Sequence, residues 1–406
     1  MTSSERTSRS VLVIGCGIAG PVLAAFLQRA GMDPIVYEAA AEPRDDEGAF
    51  LQLAPMGVNV LKTLGITDDE IEAAGGFPDS GIVFYNSEGE TIAELDGTNE
   101  TEAYGARSYV IKRGRLAKLL REAAIERGIT VRFDAKLEDI EIVDDDTVEA
   151  AFEDGPVTRG DLLVGCDGVR SKTRRLVMPD APAPEYTKMV DCGGFTTRPS
   201  SVPSSSAMHM TYGKQAFFGY LAKPDDEVYW FDNLPWPGEP ARGEHGSMSN
   251  DEWKRHLLDA HEDDSSFISE IIRSTDGTIG KWPLYDLPTL DTWHEGPVCL
   301  IGDAAHATPP HNGHGASMAL EDAIVLAKCL RDIPDLERAF EQFEELRTER
   351  VEKVSTQARR IGKQKTMTSP VKRWVRDRML PVFLRFGTDS MDWLFGYRVE
   401  WDRQLT

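Results

Sequence analysis

Three histidines lie close together in the stretch GDAAHATPPHNGHGAS, residues 302–317. They are His306, His311 and His314, in a chain with eight histidines in all. Histidine is the commonest metal ligand near neutral pH, so the cluster raises the question of a metal site. No carboxylate or thiolate stands at a suitable spacing beside the three rings, although zinc sites commonly include such partners. We therefore expect no metal here.

The same stretch has the pattern of a strand, a loop and a helix. The apolar run PVCLIG leads to Asp303, and Gly313 and Gly315 precede the run ASMALEDAIVLAKCL. The second run has the length and apolar content of a buried helix. The pattern predicts Asp303 at the carboxyl end of a strand and a helix that opens at the glycines.

A glycine-rich turn also lies near the start of the chain, in SVLVIGCGIAGPVLAAFLQRAGMDPIVYE. An apolar strand (11–14) leads to Gly15, Gly17 and Gly20, which form a GxGxxG pattern before a helix. The first glycine allows the tight turn, the second lets a pyrophosphate approach, and the third lets the helix pack closely on the strand. Glu38 ends the second strand and is placed to accept hydrogen bonds from a ribose. The unit predicts a dinucleotide and leaves NAD and FAD open.

A third segment, GDLLVGCDGVRSKTRRLV, joins an apolar strand (162–164) to Asp167 and Gly168. Arg170, Ser171 and two further arginines follow. A simple strand-to-loop turn explains an Asp-Gly pair by itself. It does not explain the recurrence of a strand and an aspartate at 297–303.

Composition limits the class of protein. The 406 residues suggest two or three domains, and contents of 41% hydrophobic and 28% charged residues are typical of a soluble enzyme. No run approaches the roughly 18 apolar residues of a membrane span, and the polar first ten residues lack the apolar core of a signal peptide. Five cysteines without a C-x-x-C pair indicate reduced thiols and a cytoplasmic protein.

The formal net charge of −23 disfavours nucleic acid and anionic lipid as partners. Basic residues accumulate from Arg347 to Arg378, and we interpret this segment as a solvated helical face rather than an anion site. The tail (370–401) is predicted to form helices that pack on the body rather than lie on a membrane. We expect a small-molecule substrate, no nucleic acid, no stable membrane association, and a monomer or homodimer.

The three motifs together resemble those of the FAD-dependent monooxygenases of the aromatic hydroxylase type, which include para-hydroxybenzoate hydroxylase, salicylate hydroxylase and the tetracycline-inactivating monooxygenase. YVIKRGRLAKLL (109–120) resembles the family's I-x-R-x-x-L segment, and WHEGPVCLIGDAAHATPP (293–310) its approach to the flavin. The likeness covers nearly all of the chain. It implies an α/β fold: a Rossmann-like FAD-binding domain, an inserted, mainly antiparallel β-sheet substrate domain, and C-terminal helices.

The resemblance implies that the motif residues bind FAD. These residues are Gly15, Gly17, Ile18, Ala19, Gly20, Glu38, Arg113, Asp167, Gly168, Asp303, Pro310, Gly313, Gly315 and Ala316. The GxGxxG turn would hold the pyrophosphate, Glu38 the adenosine ribose, Arg113 the FAD from the side, and Asp303 the ribityl chain. Asp167 and Gly168 would serve both FAD and a passing nicotinamide cofactor.

In the second glycine turn, backbone N–H groups of Gly313, Gly315 and Ala316 would face the pyrimidine end of the flavin, where the helix N-terminus stabilises negative charge. Pro310 would lie near the reacting edge. His306 is interpreted as a packing and hydrogen-bonding residue, and His311 and His314 as possible neighbours of flavin or substrate.

The sequence departs from the family pattern at two positions. Ser317 stands where asparagine is frequent, and Met56 stands in Pro-Met-Gly where Pro-Asn-Gly is common.

Short strands rich in aromatic residues occupy the middle of the chain, such as QAFFGYLAK and EVYWFDNLP. We predict an FAD-binding domain from 8–80, 104–180 and 288–360, a substrate domain from 81–103 and 181–287, and C-terminal helices from 361–406. Candidate walls of the substrate cavity are Phe218, Tyr220, Tyr229 and Phe231.

The implied reaction uses NADH or NADPH. The chain has no second GxGxxG, and the resemblance implies this absence, because the nicotinamide cofactor of the family docks transiently. Reduced flavin would react with oxygen to a C4a-hydroperoxide and pass one oxygen to an electron-rich, aromatic or polycyclic natural-product-like substrate. No catalytic side chain is predicted, because the flavin carries the chemistry. The alternatives are a dehydrogenase or non-redox cyclase of the same fold, and an NAD-dependent dehydrogenase, which the second and third motifs disfavour. A flavin-dependent halogenase is also disfavoured, because W-x-W-x-I-P is absent.

Overall fold

A computed structural model describes residues 8–46, 48–240, 248–365, 367, 369–387 and 392–405. The strands are β1 (Ser10–Ile14), β2 (Asp33–Tyr37), β3 (Phe50–Leu53), β4 (Phe77–Pro78), β5 (Gly81–Tyr85), β6 (Thr91–Asp96), β7 (Tyr109–Lys112), β8 (Thr130–Arg132), β9 (Leu137–Asp144), β10 (Thr147–Phe152), β11 (Thr158–Gly160), β12 (Leu162–Gly165), β13 (Glu185–Thr197), β14 (Met208–Tyr212), β15 (Phe217–Ala222), β16 (Glu227–Pro235), β17 (Gly280–Asp286), β18 (His294–Glu295) and β19 (Val298–Leu300).

The helices are α1 (Ala19–Arg29), α2 (Pro55–Thr63), α3 (Asp68–Ala73), α4 (Glu100–Tyr104), α5 (Arg113–Glu126), α6 (Lys172–Val177), α7 (Asn250–Ala260), α8 (Ser266–Arg273), α9 (Asp303–His306), α10 (Gly315–Asp332), α11 (Leu336–Lys365), α12 (Pro370–Gly387) and α13 (Asp392–Phe395), with a 3-10 turn at Pro310–Asn312.

The apolar runs of the three motifs become neighbouring strands of one sheet. Its order is β18-β19-β12-β1-β2-β8, and all neighbours except β18 and β19 run parallel. Because β1, β12 and β19 are parallel neighbours, their carboxyl ends meet at one edge of the sheet. Ligands of open parallel sheets bind at such an edge. The sheet thus gathers the GxGxxG turn, the Asp-Gly turn and Asp303.

The aromatic strands form a second sheet of seven strands in the order β17-β13-β16-β15-β14-β5-β6. β14 and β5 are parallel, whereas the other neighbouring pairs are antiparallel. Residues alternate between its two faces. One face packs against α7 and α8 through a buried cluster that includes Phe218, Tyr220 and Trp230.

The opposite face, which we call the inner face, is identified by the strand register. Its side chains alternate along each strand with those of the helix-covered face. The residues of the inner face include Asp191, Phe195, Met210, Phe217, Gly219, Tyr229, Phe231 and Asn233. Tyr229 of this face packs on Phe50 of β3 and Phe77 of β4, each at a ring-centroid distance of 5.5 Å. Strands β3, β7 and β4 form a small antiparallel sheet. The inner face therefore packs on this small sheet, which belongs to the half of the chain that is predicted to bind FAD.

Our interpretation of the basic segment from Arg347 to Arg378 as a solvated helical face is wrong, because several of its cations are buried. Arg347 is fully buried in α11, where its guanidinium donates to Glu321 (2.6 Å) and Asp322 (2.7 Å) of α10. Arg350 is also buried, bonds both oxygens of Glu321, and donates to the backbone carbonyls of Trp393 and Leu394. Buried charges of this kind require partners. These cations join α10, α11 and the C-terminal tail.

The C-terminal helices pack on the body, as the tail sequence predicts. Leu394 of α13 is buried, and α12 approaches the seven-stranded sheet, where Arg376 lies 4.2 Å from the ring centroid of Tyr212. The predicted fold class is therefore confirmed: an α/β protein with a Rossmann-like half, a mainly antiparallel sheet and C-terminal helices. Among the described residues, no helix combines the length and apolar character needed to cross a bilayer.

Candidate functional site

The turn between β1 and α1 is tightly packed on one side. Gly15 has φ of +106°, which favours glycine, and a Cβ atom placed there would lie 2.6 Å from the carbonyl oxygen of Cys166. A Cβ atom at Gly20 would lie 2.0 Å from the carbonyl oxygen of Gly15. These contacts hold helix α1 close to β1 and β12, as the GxGxxG pattern predicts.

The other side of this turn is open. A Cβ atom added to Gly17 would have no heavy atom within 4 Å, and Gly17 lines a cavity. Ile18 precedes α1, which begins at Ala19 without a side-chain cap or an acidic residue in its first turn. Uncapped N–H groups at a helix start form an anion site. The turn therefore fits a pyrophosphate at Gly17.

Glu38 follows β2 and is half-buried beside the turn. Its Oε2 accepts a hydrogen bond from the Cys16 N–H (2.8 Å), and its Oε1 accepts one from the Ala40 N–H (2.9 Å). Each carboxylate oxygen can accept more than one hydrogen bond. The two bonds fix the carboxylate at the cavity wall and leave it able to accept from a ribose hydroxyl.

Asp167 also lines the cavity, but its carboxylate is occupied within the protein. Oδ1 accepts from the Ser171 hydroxyl (2.5 Å), and Oδ2 accepts from the N–H groups of Lys172 and Thr173 and from the Thr173 hydroxyl. These bonds cap the start of α6. Gly168, with φ of +79°, leaves open space where a Cβ atom would stand. The side chain of Asp167 thus shapes the turn, and the backbone at Gly168 faces the ligand space.

Arg174 ties this turn to the loop after β19. It is buried, and its guanidinium donates to the carbonyls of Ala304 (2.6 Å) and Val169 (2.7 Å). Burial lowers the pKa of the Arg174 guanidinium from its ordinary value. The guanidinium of Arg174 thus bonds to its own loop and to the loop 130 residues later in the chain. These bonds hold the Asp-Gly turn at a fixed distance from Asp303.

Asp303 begins α9 with its side chain accessible to solvent, although protein surrounds it on most sides. This enclosure raises the pKa of Asp303, and the positive charges of His306 and Arg113 oppose the rise. Arg113, at the start of α5, is exposed and lines the same cavity as Gly17. Two predicted FAD contacts from distant segments therefore lie within electrostatic reach of each other.

The cavity has a volume of about 640 Å³. Of the predicted site residues, its lining includes Gly15, Gly17, Glu38, Arg113, Asp167 and Gly168. Four further cations also line it, which are Lys136, Arg170, Lys172 and Arg175. With Arg113, the five cations outnumber the three carboxylates of the lining, which belong to Glu38, Glu138 and Asp167. The excess of positive charge contrasts with the net charge of the chain and suits the phosphates of a dinucleotide. Lys136 follows β8, and no motif in the sequence pointed to it.

The second glycine turn brings together Pro310, Gly313, Gly315 and Ala316, as predicted. Pro310 is exposed at the start of the 3-10 turn, and Gly313 closes it with φ of +72°. Helix α10 then begins at Gly315, with no side-chain cap and no acidic residue in its first turn. Its free N–H groups can therefore meet a second negative group.

The histidines of this loop have different surroundings. His306 bonds to Asp322 through Nε2 (2.6 Å) and packs on Trp293, which agrees with its predicted structural role. His311 and His314 are buried, and the Nδ1 atom of each has no hydrogen-bond partner among the described residues. Burial lowers the pKa of His311 to about 3 and that of His314 to about 4. Across the described part of the chain, no group of three or more metal-ligating side chains is assembled.

Of the two departures from the family pattern, Met56 is buried in α2, and Ser317 lies where α10 meets α2. Ser317 Oγ accepts from the Ala54 N–H (3.2 Å) and lies 2.6 Å from where Gly57 would carry a Cβ atom. A small residue at each position lets α2 pack closely against α10.

Comparison with known proteins identifies the family. The model of the FAD binding domain family matches residues 8–358 of this chain. The chain belongs to the FAD binding domain family.

Individual relatives agree with this assignment. The chain is 30% identical to 3-amino-4-hydroxybenzoate 2-monooxygenase PtnB3 of Streptomyces platensis, over 98% of each chain. It is 28% identical to 6-hydroxynicotinate 3-monooxygenase of Bordetella bronchiseptica, over 96% of this chain and 95% of that protein. The crystal structure of Klebsiella pneumoniae HpxO complexed with FAD and uric acid superposes with a TM-score of 0.84 at 24% identity, over 95% of this chain and 96% of that one.

These findings confirm the predicted resemblance to FAD-dependent monooxygenases of the aromatic hydroxylase type, and FAD as the cofactor of the family. The protein is a flavin-dependent monooxygenase by family. The open space at Gly17 and Gly168 and the uncapped starts of α1 and α10 fit a long anionic cofactor.

Two of the four predicted cavity walls are wrong. Phe218 and Tyr220 lie on the helix-covered face, where Phe218 stacks on Trp230 and Tyr220 stacks on His209. Tyr229 and Phe231 do lie on the inner face. Sequence reasoning missed Lys365, which is buried beside this face. A lysine amid a basic run gives no signal of burial.

Proposed function

We propose that the protein uses NADH or NADPH and O2 to hydroxylate or epoxidise an electron-rich aromatic or polycyclic substrate. The main observation in support is that four features lie at one edge of the parallel sheet. They are the uncapped, glycine-rich starts of helices α1 and α10, the Asp-Gly turn and Asp303. The named activities of relatives that act on 6-hydroxynicotinate and 3-amino-4-hydroxybenzoate support an aromatic substrate.

FAD, when bound, supplies the hydride acceptor and the activation of oxygen. In this proposal Gly15, Gly17 and Gly20, with Ile18 and Ala19, hold the pyrophosphate. Glu38 accepts from the adenosine ribose, Arg113 supports the FAD from the side, and Asp303 accepts from the ribityl chain. Asp167 shapes the turn that presents Gly168 to FAD and to the passing nicotinamide cofactor. The N–H groups at Gly313, Gly315 and Ala316 stabilise negative charge that develops at the pyrimidine end.

The rest of the work of the protein is to position the substrate and exclude water. In this proposal the substrate lies next to Pro310, against the inner face and the small sheet of β3, β4 and β7. Aromatic side chains such as Phe50 and Phe231, whose ring centroids are 6.0 Å apart, join these two sheets. Apolar walls of this kind orient a flat ring and keep water from the reacting atoms.

The cations Arg170, Lys172 and Arg175 at the cavity are the docking surface that we propose for the phosphates of NAD(P)H. We further propose that 8–80, 104–180 and 288–360 act as the FAD-binding domain, 81–103 and 181–287 as the substrate domain, and 361–406 as C-terminal helices. The five free cysteines support a reducing, cytoplasmic setting.

The test is a screen of phenolic and polycyclic compounds against the FAD-loaded protein. We expect slow NAD(P)H oxidation by the protein alone, faster oxidation with the true substrate, and a product heavier by one oxygen atom that derives from ¹⁸O2. Substrate-dependent reduction is expected because a transiently docked cofactor requires the site to open. A product isomeric with its substrate, formed without consumption of NAD(P)H or O2, would replace this proposal with the cyclase alternative.

A further inference from the structure

A buried group of polar residues lies on the inner face and has no part in FAD binding. Lys365 is the last residue of α11 and is 6% exposed. Its Nζ atom donates to Asn233 Oδ1 (2.8 Å), and Asn233 Nδ2 donates to Asp191 Oδ1 (2.8 Å). Asn233 therefore bridges an ammonium group and a carboxylate that come from α11 and β13.

Both ends of this bridge keep free hydrogen-bonding capacity. Lys365 has three N–H donors, and Asn233 is its hydrogen-bond partner among the described residues. Asp191 is half-buried, and within the described chain its Oδ2 atom has no hydrogen-bond partner. The pair can therefore accept one proton at Asp191 and donate hydrogen bonds from Lys365 to the same ligand.

The surroundings of the pair are those of an aromatic ligand site. The Lys365 Nζ atom lies 4.1 Å from the ring centroid of Phe217 and 5.6 Å from that of Phe231, both on the inner face. Phe231 also packs on Phe50 at the small sheet. A flat substrate that packed against these rings would meet the ammonium group at its edge.

The pair also lies beside the loop that we place near the reacting edge of the flavin. The ring of His311 packs on α11 at Gly362, where a Cβ atom would lie 2.4 Å from His311 Cδ2. Gly362 precedes Lys365 by three residues, so the two share a helix face. The charge of Lys365 contributes to the lowered pKa of His311. Since His311 follows Pro310, the pair lies close to the residues that we place at the reacting edge.

Burial acts in opposite directions on the two groups. It raises the pKa of Asp191 and lowers that of Lys365, while their mutual attraction opposes both shifts. Asp232, on the same strand as Asn233, and His311 are the further titratable groups that interact with the pair. A carboxylate of raised pKa is a stronger base towards a weakly acidic hydroxyl.

We propose that Asp191 and Lys365, oriented by Asn233, take the proton from a ring hydroxyl of the substrate and stabilise the resulting phenolate. The proposal assigns these roles to three residues of this chain that no motif identifies, and it rests on the proposed function. The O–H bond of the substrate breaks, its proton goes to Asp191 Oδ2, and the electron pair stays on the oxygen beside the Lys365 ammonium. The net charge of the three groups is zero before and after. The phenolate ring is richer in electrons and reacts more readily with an electrophilic oxygen.

The experiment uses the FAD-loaded protein without NAD(P)H, with 4-nitrophenol as the probe and 4-nitroanisole, its O-methyl ether, as the comparison. Difference spectra report the phenolate fraction of the bound probe against pH. Titration calorimetry in two buffers of different ionisation enthalpy reports how many protons are released to solvent on binding.

For the unaltered protein we expect a bound phenolate at pH values where free 4-nitrophenol is mostly neutral, release of close to no protons, and at least tenfold weaker binding of the ether. In Lys365→Met the ratio of phenolate to phenol in the bound probe at fixed pH should fall about tenfold or more, because a nearby cation lowers a phenol pKa by about one unit or more. In Asp191→Asn about one proton should be released per bound probe, since the internal acceptor is gone.

Lys363→Met is the matched control, because Lys363 is exposed two residues earlier in α11, and it should behave as the unaltered protein. If Lys365→Met does not fold, Lys365→Gln serves in its place. Equal phenolate fractions with and without the Lys365 ammonium, equal binding of the ether, or no binding of the phenol would each overturn the proposal. The readout needs neither NAD(P)H nor oxygen, so it can succeed or fail independently of the monooxygenase test.

Discussion

Gly17→Ala gives a sharp test of the FAD cradle because the folded protein has room for the added methyl group. A Cβ atom at Gly17 meets no heavy atom within 4 Å, and Gly17 has none of the positive φ values that disfavour alanine. At such a position alanine usually stabilises a protein by about 0.4–1 kcal/mol, since it restricts the unfolded chain. The variant should therefore melt no earlier than the parent when both are free of FAD.

FAD binding should respond in the opposite way. The methyl group would occupy the space through which a pyrophosphate approaches the N–H groups at the start of α1. A hydrogen bond to a charged group contributes about 1.5–3 kcal/mol, so loss of one such bond weakens binding about 10- to 150-fold. Flavin fluorescence titration of the FAD-free protein measures this affinity, and differential scanning fluorimetry measures the melting temperature.

Gly277→Ala is the matched control, because Gly277 also has open space around it and lies away from the cavity. This variant should leave FAD affinity at the parent value and, for the same reason as Gly17→Ala, should melt no earlier than the parent. The reasoning is refuted if Gly17→Ala binds FAD as tightly as the parent protein does, or if it loses FAD only because it no longer folds.

Four further predictions follow from individual contacts. Asp303→Ala should lose most of the flavin in the purified protein, and full occupancy with unchanged affinity would show that the ribityl contact is misassigned. Treatment with a chelator should leave FAD content, melting temperature and NAD(P)H oxidation unchanged, whereas stoichiometric zinc or iron lost together with activity would restore the metal hypothesis. Arg347→Met leaves Glu321 and Asp322 buried without this partner, so urea unfolding should show a loss of about 3–5 kcal/mol, against less than about 0.5 kcal/mol for the exposed control Arg338→Met. The pKa of His314 is about 4 in the folded protein and about 6.5 in an unfolded chain, so the unfolded state binds more protons between these values. The free energy of unfolding should therefore decrease as pH is lowered from about 6.5 to about 4, with a contribution from His314 of up to about 1.4 kcal/mol per pH unit; His314→Gln should reduce this slope, and an unchanged slope would contradict the prediction.

Local patterns were sufficient for the nucleotide half of the fold. The strand (11–14), the turn at Gly15 and the helix that follows are encoded within about thirty consecutive residues, and parallel strands then bring Asp167 and Asp303 to the same sheet edge. The packing role of His306 was also predictable, because its string of neighbours is typical of the family.

Contacts between distant residues were not predictable in the same way. Arg347 and Lys365 look solvated in the sequence because nothing near them marks Glu321 or Asp191 as a partner. The alternation of side chains along a strand likewise places Phe218 and Phe231 on opposite faces of the sheet. It does not indicate which of the two faces is covered by α7 and α8. Each of these outcomes depends on tertiary packing, which a single sequence does not display.

The alternation of β15 and β16 has a consequence for how such a chain acquires new substrates. Phe218 and Tyr220 belong to the core beneath the helices, whereas Phe217 and Gly219 contribute to the inner face. Substitutions at every second position can therefore reshape the ligand space while the intervening positions preserve folding. Gly219 is an exception among these positions, because any side chain there must displace the ring of Phe231. Saturation libraries limited to the inner-face positions would explore substrate range with few unfolded members, and natural divergence could follow the same route.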